Sequence, residues 1–134
     1  MLFLWYPLKR FDMNIPSGHQ AVMPYLMLRG AEQFIAFTTA VFDARLTVRH
    51  LHEDGSMMHA ELQIGDCTIM FTEAREQWPA ETANLFVYVP DADAGYARAL
   101  KAGAIAVMAL STRDYGRTCG VKDPSGNTWW ITSV

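Results

Sequence analysis

Cysteine is scarce in this chain: only Cys67 and Cys119 occur. Two are too few for a disulfide framework, and both fall in strand-like segments where a free thiol behaves as a small hydrophobe. The expectation is a reducing cytoplasm. Basic runs are missing too, because Lys and Arg are scattered and the formal net charge is -3. A phosphate backbone finds no electrostatic footprint here, so no nucleic acid partner is expected. Nor is any apolar run long enough to span a bilayer, and no membrane partner is expected. The opening MLFLWYPLKRFDMN places its apolar stretch ahead of Lys9 and Arg10, the reverse of a secretion signal. We read residues 1–13 as an N-terminal extension and 14–134 as one domain without linkers or low-complexity tracts. No Ser or Cys has a His and an acid nearby, which leaves nucleophilic catalysis unsupported.

What is present is a pattern that occurs twice. With 51% of residues apolar, a chain of 134 residues closes one core, or two small half-cores that share an interface. AVMPYLML reads as a strand, and Gly30 then opens AEQFIAFTTAVF, where Phe34, Phe37, Thr38, Val41 and Phe42 fall on one helical face. RLTVRHLH and SMMHAELQI are strands around the Asp54-Gly55 turn signal, and CTIMFTEA follows a second tight turn at Gly65-Asp66. The second pass runs through NLFVYV, a helix ADAGYARALKA begun at Asp91 and ended by Gly103, then AIAVMAL, RTCGVKD and NTWWITS. Leu28 matches Val89 and Met70 matches Trp130 at an offset of about sixty residues, the mark of an internal repeat. The fold class is α+β: two βαβββ modules, one over about residues 20–74 and one over about 82–134.

A helix on one face of each sheet makes alternate strand positions face either the helix or the other side. The helix-facing set is Val22, Leu26, Leu28, Ile69 and Phe71 in the first module, and Leu85, Val87, Val89, Trp129 and Ile131 in the second. Met23, Tyr25, Met27, Met70, Asn84, Phe86, Tyr88 and Trp130 face away. The adjacent tryptophans therefore part, Trp129 to a core and Trp130 to whatever the sheets enclose.

The words MPYLMLRGAEQFIAF, DGSMMHAELQIGD and YGRTCGVKDPSGNTWWIT make the chain resemble the vicinal oxygen chelate superfamily of glyoxalases, bleomycin-resistance proteins and extradiol dioxygenases. The resemblance covers about residues 15–134 and is nearest to the PhnB-like branch. It implies that the modules pair into a curved eight-stranded mixed sheet, a cup with a helix on the outer face of each module, often in a homodimer. It also implies that metal-using members draw four His, Gln or Glu ligands from the first and last strands of both modules. Those positions fall here on Met23, Met70, Asn84 and Trp130. Thioether suits soft metals, amide is a weak ligand and indole is none, so neither a metal nor any other cofactor is expected.

Four further groups of residues invite chemistry. His50 and His52, with Glu53, present an HxH pair that reads either as metal ligands or as a solvated hairpin tip. His59 and Glu61 share the cup-facing side of their strand with Met57 and Gln63, where a His beside an acid can act as a general base or simply form a polar pair at the rim. Arg117, after Tyr115 and Gly116, can hold a carboxylate or phosphate, or be an ordinary surface arginine. The cup-facing methionines and aromatics suit a flat, mostly apolar guest. The expectation is a metal-independent cup that binds a small aromatic or apolar molecule; the alternative is a lyase or isomerase using His59 and Glu61 or a relocated metal. A homodimer is expected from the resemblance and from the apolar Phe3, Trp5 and Tyr6.

Overall fold

The computed structural model describes residues 13–134, so the reading of the N-terminal extension, with Phe3, Trp5 and Tyr6, lies outside the described residues. The elements follow the double pattern: β1 (Tyr25–Leu28), α1 (Ala31–Phe42), β2 (Arg45–Leu51), β3 (Met57–Ile64) and β4 (Cys67–Glu73), then β5 (Asn84–Tyr88), α2 (Ala92–Lys101), β6 (Ile105–Arg113), β7 (Gly116–Lys122) and β8 (Thr128–Ser133). One sheet has the order β1-β4-β3-β2 and the other β5-β8-β7-β6. In each, the first strand lies parallel to the last, and the remaining pairs are antiparallel hairpins. Tyr25 pairs with Met70 in one ladder and Phe86 with Trp130 in the other, so the repeat seen in sequence is a repeat in space.

The two helices start by different chemistry. Asp91 caps α2 in the ordinary way, its carboxylate accepting from the Ala94 amide at 3.2 Å. Gly30, at the start of α1, has a left-handed φ of 85° and no side chain to offer. The missing cap comes from β4, where the Glu73 carboxylate accepts from the Gly30 and Ala31 amides at 3.0 and 2.9 Å. An acid there also complements the positive helix end. This contact ties the start of α1 to the end of the strand beneath it.

Strand alternation then fills the core as the pattern requires. Leu28, Phe34, Phe37, Leu62 and Phe71 are buried in the first module, and Val121, Trp129 and Ile131 in the second. The modules meet through their helix-bearing sides: Trp129 stacks on Phe34 of α1 with centroids 6.2 Å apart and lies 4.6 Å from Phe42. Two hydrogen bonds cross the same seam, Arg98 Nε to the Val41 carbonyl and Ser125 Oγ to the Gly30 carbonyl. Because the apolar helix sides are spent on each other, the strands of this chain form two separate four-stranded sheets rather than one ladder of eight, and their other faces point away from the seam.

One strand is shorter than its hydrophobic run suggests. Tyr25 opens β1, and the residues before it are irregular, because Pro24 has no amide hydrogen to give a ladder. Val22, expected on the helix side, is 82% exposed.

Candidate functional site

The segment before β1 does more than lead into the strand. It crosses the open face of the first sheet, where Gln20 clasps Thr68 with two bonds, its Nε2 donating to the Thr68 carbonyl and its Oε1 accepting from the Thr68 amide. The Gly18 carbonyl accepts from Thr68 Oγ1 and, at 3.4 Å, from Gln63 Nε2. Met23, expected to line the cup, belongs to this crossing segment and accepts from the Gln20 amide through its sulfur at 3.5 Å. Held in this way, the segment delivers a residue that sequence reasoning missed: His19.

His19 Nε2 lies 2.6 Å from Glu61 Oε1, and His59 Nε2 lies 2.7 Å from Glu61 Oε2. Each imidazole thus takes one oxygen of the same carboxylate. Glu61 is only 6% exposed. Burial pushes its carboxyl up, but the hydrogen bonds and charges of His59 and His19 outweigh that and hold it below the usual carboxylate range. An ionised carboxylate only accepts, so both rings donate through Nε2. The triad borders an open groove of about 530 Å³ with Ser17, Arg45, His50 and Gln63. Arg45 is hydrogen-bonded to Gln63 across the strand pair.

On the same face Tyr25 stands edge-on to His59, ring centroids 5.9 Å apart. Tyr25 and Met27 also line a second groove of about 370 Å³ with Met58, Thr72, Arg75 and Trp78. His52 borders that groove and His50 the first one, so the HxH pair does not converge on one point.

The open face of the second sheet is aromatic. Phe86 and Tyr88 pack edge-on at 5.3 Å and Tyr115 lies 6.3 Å from Phe86, yet Phe86 is 51% and Tyr88 68% exposed. Trp130 lies beside them over Gly120, its Nε1 donating to Asn84 Oδ1 at 3.1 Å. Thr118 and Thr132 close the floor by bonding to each other at 2.8 Å. Arg117 is not part of this face. It shares the helix side with Cys119 and Val121 and grips Asp93 of α2 through Nε at 2.9 Å and Nη2 at 3.2 Å, which removes it from the expected ligand set.

The expected lining thus stands in two groups, Tyr25, Met27 and Met70 on one sheet with Met23 in the segment that crosses it, and Asn84, Phe86, Tyr88 and Trp130 on the other; in this chain the modules meet by their helix-bearing sides instead. Nor do Met23, Met70, Asn84 and Trp130 fit a divalent cation. Indole offers no lone pair, the Asn84 oxygen already accepts from it, and thioethers are soft donors. Among the described residues no group of three or more His, Cys, Asp or Glu side chains is placed to hold a metal ion. No helix among them is long and apolar enough to cross a membrane.

Comparison with known proteins agrees with the architecture. An uncharacterized protein of Mycobacterium bovis is 32% identical over 121 residues, covering 81% of this chain and 80% of its own length. A putative 3-demethylubiquinone-9 3-methyltransferase, PhnB protein, from Bacillus cereus superposes with a TM-score of 0.67 at 18% identity, over 86% of this chain and all (100%) of the other. TnmS3, an antibiotic binding protein from Streptomyces sp. CB03234, superposes with a TM-score of 0.66 at 17% identity, over 86% of this chain and 98% of its own. The model of one family matches residues 21–131, and with the paired βαβββ modules it settles descent: the chain belongs to the Glyoxalase/Bleomycin resistance protein/Dioxygenase superfamily.

Proposed function

We propose that this protein binds a small planar, mostly apolar molecule, in the manner of the binding members of its superfamily and without a metal at the four family positions. The observation that carries this reading is the exposed aromatic face of Phe86, Tyr88 and Tyr115 beside Trp130. Aromatic side chains left in water in such a cluster mark a binding surface, and their quadrupoles favour stacking on another ring. The fold it shares with an antibiotic binding protein supports the same reading.

A homodimer completes the site in this proposal. The two open faces point away from each other in one chain, so the first sheet of one copy and the second sheet of another are the surfaces available to close a cup. Cys67 and Cys119 remain thiols in the reducing cytoplasm where we place the protein. The second reading, a lyase or isomerase, rests on the clasped Glu61, since a buried carboxylate that orients two imidazoles is the usual support of a general base.

Fluorescence titration with a library of small aromatic compounds, alongside light scattering, tests the first reading. Quenching of the protein's tryptophans by planar compounds and a mass of twice 15.1 kDa are expected. A monomer that binds no aromatic compound refutes it.

A further inference from the structure

The His19–Glu61–His59 cluster borders a groove on an open sheet face, and simple ligand stacking leaves it unused. Glu61 fixes a hydrogen on both Nε2 atoms, so in the neutral rings the lone pair sits on Nδ1. Among the described residues no buried side-chain nitrogen or oxygen is left without a partner, and no protein group bonds to either Nδ1; neither Nδ1 is therefore sealed off, and both rings line the groove. The other ionisable groups facing the cluster are Arg45 and His50 from β2 and Tyr25 from β1. Arg45 is cationic and Glu61 is the sole acid among these neighbours, so negative charge arriving in the groove meets a favourable field.

We propose that this cluster is a hydroxyl-recognition site: His59, supported by Glu61 and His19, takes the proton of an acidic phenol and holds it as the phenolate. The inference rests on the aromatic-guest reading above and names the class of guest. In the step, the phenol O–H bond breaks and an Nδ1–H bond forms on His59. The electron pair of the broken bond stays on the phenolate oxygen, and the new imidazolium is stabilised by the ionised Glu61 at 2.7 Å. No oxidant or other reactant is needed. The nearest aromatic neighbour is Tyr25 of the adjoining groove, whose ring stands edge-on to His59 with centroids 5.9 Å apart, so a guest ring that spans the two grooves passes beside the imidazole. His19 is a positioning residue that holds the second oxygen of Glu61 and so keeps the carboxylate aimed at His59.

The experiment compares para-nitrophenol, whose phenolate is coloured, with para-nitroanisole, which has no proton to give. Tryptophan fluorescence reads binding of both, and visible absorbance reads ionisation of the bound phenol at a pH just below its own ionisation. Wild type is expected to bind both and to raise the phenolate fraction of the bound phenol. His59→Asn and Glu61→Gln are expected to abolish that rise and weaken the phenol about tenfold, the worth of one charge-assisted hydrogen bond, while nitroanisole affinity holds. His19→Asn is expected to lower the rise in part, and His19→Gln to restore some of it. Retained nitroanisole binding shows that each variant is folded. If both compounds bind but the phenol stays un-ionised, or if His59→Asn keeps the phenolate band, this inference fails and the aromatic-guest reading stands. If neither compound binds, both fail.

Discussion

Gly120 of β7 and Trp130 of β8 are ladder partners, and the indole lies so flat on the glycine that a Cβ there would stand 2.6 Å from Cζ3 and 2.9 Å from Cε3. The missing side chain is therefore what sets the angle of the ring, and Asn84 locks it with one hydrogen bond. A flat indole in the sheet surface is a platform; an upright one would be a wall.

Gly120→Ala should lift that platform. The ring must shift, because both approaches to Trp130 fall below 3.0 Å, closer than real Cβ contacts come, whereas Met108 Cβ at 3.4 Å is in ordinary contact. Overpacking of this kind costs about 1–3 kcal/mol. The expected result is a modest fall in thermal stability with a larger loss of planar-ligand affinity, read by calorimetry and by titration. Unchanged affinity would show that the ring angle is irrelevant to binding.

The two tryptophans should separate stability from binding. Trp129 is 1% exposed, packs on Phe34 and Phe42, and donates through Nε1 to Asp123 Oδ2 at 2.8 Å. Truncating it opens a cavity at the seam between the modules, so Trp129→Ala should cost about 3–5 kcal/mol. Trp130→Ala should change stability little and weaken a planar guest, since stacking on the ring is worth about 0.5–1.5 kcal/mol beyond its area. Denaturant unfolding and fluorescence titration of both variants check this. The reversed outcome would mean that the open face is wrongly assigned.

Much of this arrangement was legible because strands alternate strictly. Residues 129 and 130 had to part, and the sixty-residue repeat fixed the order of elements before any contact was known. The side of Arg117 was legible in the parity it shares with Cys119 and Val121, but its grip on Asp93 was not, because that contact joins β7 to α2 across 24 positions. Val22 was misplaced because an apolar run continues through Pro24 while hydrogen bonding cannot. His19 had no signal at all. It lies in irregular chain, and its meeting with Glu61 spans 42 positions in sequence, a contact made by tertiary folding alone. The seam through Trp129 was equally hidden, because a pattern of faces says which side is apolar and not which other side will cover it.

The cysteines should differ sharply in reactivity. Burial pushes the Cys119 thiol up to about 11, so almost no thiolate exists at neutral pH, and the side chain is closed off beneath α2. Cys67 is exposed, and its thiol is raised by burial of part of the group and by the hydrogen bond and charge of Asp66. Alkylation in the native state should label Cys67 slowly, and faster as pH rises; Cys119 should label only after unfolding. Mass spectrometry of tryptic peptides reads both. Fast native labelling of Cys119 would contradict the packing of the second module.

Glu61 should make stability fall in acid. Its folded carboxyl is depressed below the unfolded value, so its contribution is fully present above the ordinary glutamate range, about 4.3, and is lost as pH falls through the folded value. Protonation would hand the buried oxygen a hydrogen where both imidazoles already donate, so one Nε2 must turn acceptor or its bond is lost, and the attraction of the charge goes with it. Glu61→Gln keeps the shape but removes the charge, and one imidazole must turn its Nε2 from donor to acceptor to meet the new amide hydrogens. The variant should therefore lie about 2 kcal/mol below wild type near neutrality, the order of a hydrogen bond to a charged group, and the gap should narrow steadily below the unfolded glutamate value. Urea unfolding of both proteins across the acid range measures it. A gap that stays constant with pH would show that Glu61 is not ionised between His19 and His59 in the native protein.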